Sequence, residues 1–170
     1  MAQLFDISDV ESIMKQVLIS YCESFETPLG LMEVVATQAA IKSIYFVDRA
    51  QPRNGNSLTA MTATQLVEYF SGSRTSFELP LEPQGTDFQK RVWQELSNIE
   101  FGKTCSYKDI ALQIDNPKGV RAVGLANGKN PLTIVVPCHR VIGSNGSLTG
   151  YAFGLKRKEW LLHHEGLTLF

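Results

Sequence analysis

A chain of 170 residues allows one ordinary domain or two small ones sharing a surface. Its 44% hydrophobic content and net charge of −1 are those of a globular chain with a substantial core, and no apolar run is long enough to span a membrane. Three widely spaced cysteines, Cys22, Cys105 and Cys138, form no C-x-x-C pair, which disfavours a zinc ribbon or a thioredoxin-type motif.

The opening residues, MAQLFDISDVESIMKQ, lack the basic start and apolar centre of a secretion signal. Free thiols suit a reducing compartment, so a cytoplasmic protein is expected. The run LISYCESF (18–25), a Pro28–Gly30 turn, LMEVVA (31–36) and AIKSIYFV (40–47) predict an antiparallel meander. AQPRNGNS (50–57) reads as a loop. In ATQLVEYFSG (63–72), Leu66, Val67 and Phe70 recur at helical spacing. SFELPL (76–81) is a candidate strand and LEPQG (81–85) a linker.

At that linker the charge changes sign. Residues 1–85 carry five Lys/Arg and ten Asp/Glu, while residues 86–170 carry eleven and seven, together with all three histidines. An anionic partner for the second half would explain this, and chance is the plain alternative.

The second half reads as mostly helical. In TDFQKRVWQELSNI (86–99), Thr86 and Gln89 have capping-box spacing, and Phe88, Val92, Leu96 and Ile99 share a face. Ser106 and Asp109 repeat the cap before a short helix with Ile110, Leu112 and Ile114 as candidate core contacts. Asn116–Pro117 breaks the chain, Pro117 suits the first turn of a new helix, and Val120, Val123 and Ala126 recur beyond it. The pair matches a helix-turn-helix, although shape alone fits an ordinary helical hairpin better. PLTIVV (131–136) reads as a short buried strand, GSNGSLTGYAFG (143–154) as a glycine-rich loop, and LKRKEWLLHHEG (155–166) as a helix stopped by Gly166.

The segment VVPCHRVIGSNG places Cys138 beside His139 and Arg140 at a strand end, before a loop with four glycines. A lone cysteine is most often a small buried hydrophobe. Cationic neighbours able to lower its pKa suit a nucleophile instead. Adjacent side chains on a regular strand diverge, so either the chain turns at Pro137 or a water links thiol to imidazole. A histidine base needs an orienting acid, for which Glu159 and Glu165 of the last helix are the candidates. His163 and His164 are neighbours on a helix and do not face one site, so no metal is expected.

These residues carry a resemblance. PCHRVIGSNG followed by LTGYAFGLKRKEWLLHHEG closely resembles the C-terminal signature of the O6-alkylguanine-DNA alkyltransferases, and the likeness extends upstream through GTDFQKRVW, SYKDIA, NPKGVRAVG and ANGKNP, over residues 84–166. The first half fits the family only loosely, as a variable α/β domain. The resemblance implies an α/β N-terminal domain (small antiparallel sheet with helix) over 1–83 and a mostly α C-terminal domain over 84–170 containing a helix-turn-helix.

It also implies roles. Cys138 would accept the alkyl group of O6-alkylguanine, with His139 deprotonating it through a water, Glu165 holding His139 and Asn130 supporting the active-site turn. Tyr107 would give the leaving guanine a proton and help rotate the phosphate. Arg121 would take the place of the flipped nucleotide, and the small residues Ala122, Gly124 and Ala126 would let the second helix approach the minor groove of double-stranded DNA. Carbonyls of Cys138 and Val141 and amides of the Tyr151–Ala152–Phe153 loop would hold the purine, and Phe153, where glycine is frequent in relatives, would narrow the pocket. The thioether product implies one turnover per molecule. The protein would act as a monomer with no cofactor, and the first half lacks the ligands of relatives with an N-terminal zinc site. The alternatives are a non-catalytic lesion sensor of the same fold, which would lack the cysteine, a cysteine hydrolase, and a DNA-binding regulator with a redox thiol.

Overall fold

The computed structural model describes residues 20–168. The opening segment and the first two residues of the 18–25 run lie outside the described residues.

Strands β1 (Tyr21–Thr27), β2 (Gly30–Ala36) and β3 (Ile41–Phe46) form the expected antiparallel meander in the order β1-β2-β3. Gly30 closes the first hairpin with φ +115°, a conformation that favours glycine. Met32, Val34 and Ala36 alternate into the core, the period of a sheet with one buried face.

Helix α1 (Ser57–Phe70) packs on this sheet and starts six residues earlier than its apolar spacing suggests. The cause is a reciprocal cap: Asn56 accepts from the Thr59 amide, and the Thr59 hydroxyl accepts from the Asn56 amide. Thr59, Thr62, Leu66 and Tyr69 make the buried stripe, and Val67, expected on it, is 52% exposed.

The run 76–81 forms no strand. Gln65 takes the place of a strand partner, donating to the Glu78 carbonyl and accepting from the Glu78 amide. Only Leu81 makes a parallel bridge, to Ile41.

Helix α2 (Asp87–Ser97) has the expected Thr86–Gln89 capping box and buries Val92, Trp93 and Leu96. The two-residue strand β4 (Cys105–Ser106) pairs in parallel with β5 (Val141–Ile142), fixing the start of α3 (Tyr107–Gln113) beside the segment after Cys138. Ser106 and Asp109 cap α3 as expected, but Leu112 is exposed. A turn leads to α4 (Val120–Gly128), so Pro117 precedes the helix rather than opening it.

Residues 131–136 are buried but make only isolated bridges. Ile134 has φ +73°, a left-handed backbone that a β-branched residue rarely adopts, and this breaks the expected strand. What the segment does instead is clasp β3: the Ile44 amide donates to the Pro131 carbonyl at 2.8 Å, and the Thr133 amide donates to the Ile44 carbonyl at 3.1 Å. Helix α5 (Leu155–His164) completes the fold, with Gly166 left-handed beyond its end. One apolar cluster unites sheet and helices, from Met32 and Ile44 through Trp93 to Leu161.

Candidate active site around Cys138

The chain turns at Pro137, and no direct hydrogen bond joins Cys138 Sγ to His139, which leaves the water link in place. Residues Cys138–Arg140 form a single 3-10 turn, in which the Arg140 amide donates to the Pro137 carbonyl. Cys138 is 5% exposed. Its Sγ accepts from Asn130 Nδ2 at 3.1 Å, and the same amide donates to the Val136 carbonyl at 2.8 Å. Asn130 Oδ1 in turn accepts from the Leu132 amide at 2.9 Å, so one side chain ties sulfur and turn together.

Behind the sulfur, His139 is fully buried. Its Nε2 meets Glu165 Oε1 at 2.7 Å, while Nδ1 is inaccessible and has no partner among the described residues. Glu165 is no surface acid. Its Oε1 also accepts from Tyr69 Oη at 2.7 Å and Arg140 Nη2 at 3.0 Å. Its Oε2 accepts from Arg140 Nε at 2.8 Å and the Gly102 amide at 3.1 Å. Five donors on one buried carboxylate offset its desolvation.

A cleft of about 430 Å³ opens between α4 and the glycine-rich loop, walled by Arg121, Gly124, Leu125, Tyr107, Gly150 and Tyr151. Asn127, also in its wall, places Nδ2 3.4 Å from the Cys138 carbonyl. Tyr107 Oη donates to the loop carbonyls of Thr149 and Gly150 at 3.1 and 3.4 Å. Arg121 and Ala122 are exposed on α4, and Leu125 beside them is 65% exposed.

Models of two domains of one family match the chain: the 6-O-methylguanine DNA methyltransferase DNA binding domain over residues 87–167, and the ribonuclease-like domain over residues 20–83. A methylated-DNA–protein-cysteine methyltransferase of Methanosarcina barkeri is 44% identical over 153 residues, covering 85% of this chain and 96% of the relative. The chain belongs to this family. A second member, from Mycolicibacterium paratuberculosis, is 42% identical over 165 residues, covering 90% of this chain and 99% of its own. Among solved structures, the Mycobacterium tuberculosis O6-methylguanine methyltransferase superposes with a TM-score of 0.79 at 38% identity, covering 86% of this chain and 93% of that one. An OGT from the same organism, crystallised in complex with DNA, gives 0.78 at 39% identity, covering 85% and 91%.

Electrostatics of this methyltransferase-family site depart from the sequence reading in one respect. Burial pushes the Cys138 thiol above its ordinary pKa, against the Asn130 hydrogen bond and the Lys158 charge. Arg140, expected to lower it, is committed to Glu165 and to the Ile99 carbonyl. The resting sulfur is therefore a thiol that needs a base. Burial lowers His139, opposed by its bond to Glu165. Burial also opposes ionisation of Glu165, but His139 and Arg140 outweigh it and hold the carboxyl at about 2.

The structure brings Cys138, His139, Glu165 and Asn130 together, with Tyr107, Arg121, Gly124 and Tyr151 around the cleft. Ala126 is a correction: it is 3% exposed, its carbonyl accepts from Trp93 Nε1, and it faces the core rather than a groove-facing surface. Phe153 differs too. It is not among the cleft residues, because its ring packs on Phe46, Tyr45 and Tyr151 with centroids 5.3, 6.1 and 5.9 Å away. Ala152 is exposed, and the Val141 carbonyl is taken by Lys158 Nζ at 2.5 Å.

Sequence reasoning missed Tyr69, Asn127 and Lys158. Lys158 hides in the basic run KRK. Its spacing from Leu161, Leu162 and Glu165 nevertheless puts it on the buried face of α5.

Proposed function

We propose that the protein repairs O6-alkylguanine in duplex DNA by transferring the alkyl group irreversibly to Cys138. The observation that carries this reading is the Cys138 turn: its sulfur is tied to Asn130, the buried His139–Glu165 pair follows it, and Asn127 links its carbonyl to a cleft rimmed by Arg121 and Tyr107.

His139 takes the thiol proton across one water, and Glu165 orients the imidazole and stabilises its charge. The Asn130 amide supports the developing thiolate. Sulfur attacks the alkyl carbon in line, the carbon–O6 bond breaks, and the electron pair leaves on guanine. Tyr107 supplies the proton that keeps the departing base neutral. The products are S-alkylcysteine and restored guanine, so each molecule acts once.

A stacked guanine cannot reach this sulfur, so the nucleotide must leave the duplex. Arg121 fills the space it vacates, and α4 lies along the minor groove, with Ala122 and Gly124 permitting close approach. The purine stands on the Cys138 carbonyl and against the Tyr151–Ala152 loop, beside the Val141 carbonyl that Lys158 holds. Affinity comes mainly from phosphates and falls with salt. In this reading the protein acts as a monomer and the transfer calls on no cofactor. The free thiols fit a cytoplasmic setting, and the boundary between Pro83 and Gln84 divides the N-terminal α/β domain from the DNA-binding one.

Mass spectrometry after incubation with duplex containing O6-methylguanine tests the reading. One methyl group per molecule on the Cys138 peptide is expected. Bound duplex with unmodified Cys138 would make the protein a lesion sensor, and continued steady-state turnover would make it a hydrolase.

A further inference from the structure

A side chain of the N-terminal domain, that of Tyr69, reaches the buried Glu165 of the acceptor site. Tyr69 lies in the last turn of α1 and is fully buried, and its hydroxyl donates to Glu165 Oε1 at 2.7 Å, the same distance as His139 Nε2 on the same oxygen. The other donors to Glu165 come from Arg140 and Gly102. Its ring is held by Phe77, Phe101 and His164, with centroids 5.6, 6.2 and 5.1 Å away, and its carbonyl meets His164 Nε2 at 2.7 Å. Such packing fixes the hydroxyl more firmly than a hydrogen bond alone would.

We propose that Tyr69 is a positioning residue for alkyl transfer: its hydroxyl shares Glu165 Oε1 with His139 and thereby sets how strong a base His139 is. The proposal rests on His139 activating Cys138. A donor on Oε1 disperses the carboxylate charge and weakens its pull on an imidazolium. Burial and Glu165 both raise the Tyr69 pKa, so the phenol remains a donor across the working range. The charged and titratable groups facing this network are Arg140 from the Cys138 turn, Lys158 and His164 from α5, Tyr151 from the glycine-rich loop and Cys138 itself.

The test is Tyr69→Phe, which keeps the ring and removes only the donor. The freed Oε1 binds the imidazolium more tightly. The acid limb of the transfer rate on O6-benzylguanine should therefore move up by about half a pH unit or more, a loss of about threefold below the limb. NMR titration of His139 in the whole protein should show the same upward shift, and this readout holds even if no alkyl group is ever transferred. Val92→Ala, a truncation on the buried face of α2 outside the contacts of the Tyr69 ring, should lower the melting temperature and leave both pH curves in place. A uniform rate loss at every pH in Tyr69→Phe, or an unmoved His139 titration, would reduce Tyr69 to a packing residue and overturn the proposal.

Discussion

Lys158 Nζ and Tyr107 Oη converge on one acceptor, the carbonyl of Thr149, at 2.7 and 3.1 Å. Both also reach the Gly150 carbonyl, and Lys158 alone reaches that of Val141. The wall of the cleft therefore hangs on a buried ammonium whose pKa burial has pulled down to about 8.

Lys158→Met removes that support without changing side-chain length much. The loop loses its donors, and transfer should slow by about tenfold or more on free O6-benzylguanine and on duplex alike, the worth of one well-made charged hydrogen bond. Single-turnover kinetics check this. An unchanged rate on both substrates would show that the loop holds its shape unaided.

Acid should destabilise the protein in two stages. The folded His139 pKa lies below 6.5, so the unfolded chain binds that proton first and stability starts to fall as pH drops through 6.5. Glu165 is held at about 2 against 4.5, so its contribution is complete above 4.5 and is lost as pH falls toward 2. The shift corresponds to a contribution on the order of 3 kcal/mol. Urea unfolding from pH 7 to 3 should show this decline, and Glu165→Gln should flatten the part below 4.5. Parallel curves would contradict the depressed carboxyl.

Arg121→Ala should leave the reaction with free O6-benzylguanine within about twofold of the parent and slow repair of duplex by at least about tenfold, since only the duplex requires a nucleotide to be turned out. Rates measured side by side decide this, and equal losses would remove Arg121 from that role.

Ala122 and Ala126 lie one turn apart on α4, the first exposed and the second buried. Ala126→Leu should overpack the contact with Trp93 and cost about 1–3 kcal/mol in thermal or urea unfolding. Ala122→Leu should leave stability nearly unchanged and weaken DNA binding. The reverse pattern would return Ala126 to the groove.

Local rules made much of this legible. Three capping signals exist in the described chain, at Asn56–Thr59, Thr86–Gln89 and Ser106–Asp109. The two with acidic or amide partners stand out in the sequence, whereas Asn56–Thr59 is hidden in a polar loop, so the apolar spacing alone makes α1 too short. The meander followed from alternation. The proposed roles of Cys138, His139 and Glu165 rest on motif chemistry and resemblance, and the structure adds their proximity. What was not legible depends on distant pairing. Nothing local reveals that Gln65 stands in for a strand beside Glu78, that Ile134 turns left-handed, or that Tyr69 meets a carboxylate 96 residues away. Neighbour identity also misled: Arg140 next to Cys138 implied an acidified thiol, yet the turn sends its guanidinium to Glu165.

The clasp between Ile44 and the Pro131–Thr133 stretch bears on how this protein can be cut and recombined. The stretch begins one residue after Asn130 and leads directly to Cys138, so the sheet braces the scaffold from which Cys138 hangs. Excising the first half would strip two main-chain partners from that scaffold and bare the apolar flank of Leu132. Modularity in this chain is thus a property of its sequence signatures more than of its mechanics, and grafted chimaeras should carry β3 along with the cysteine it steadies.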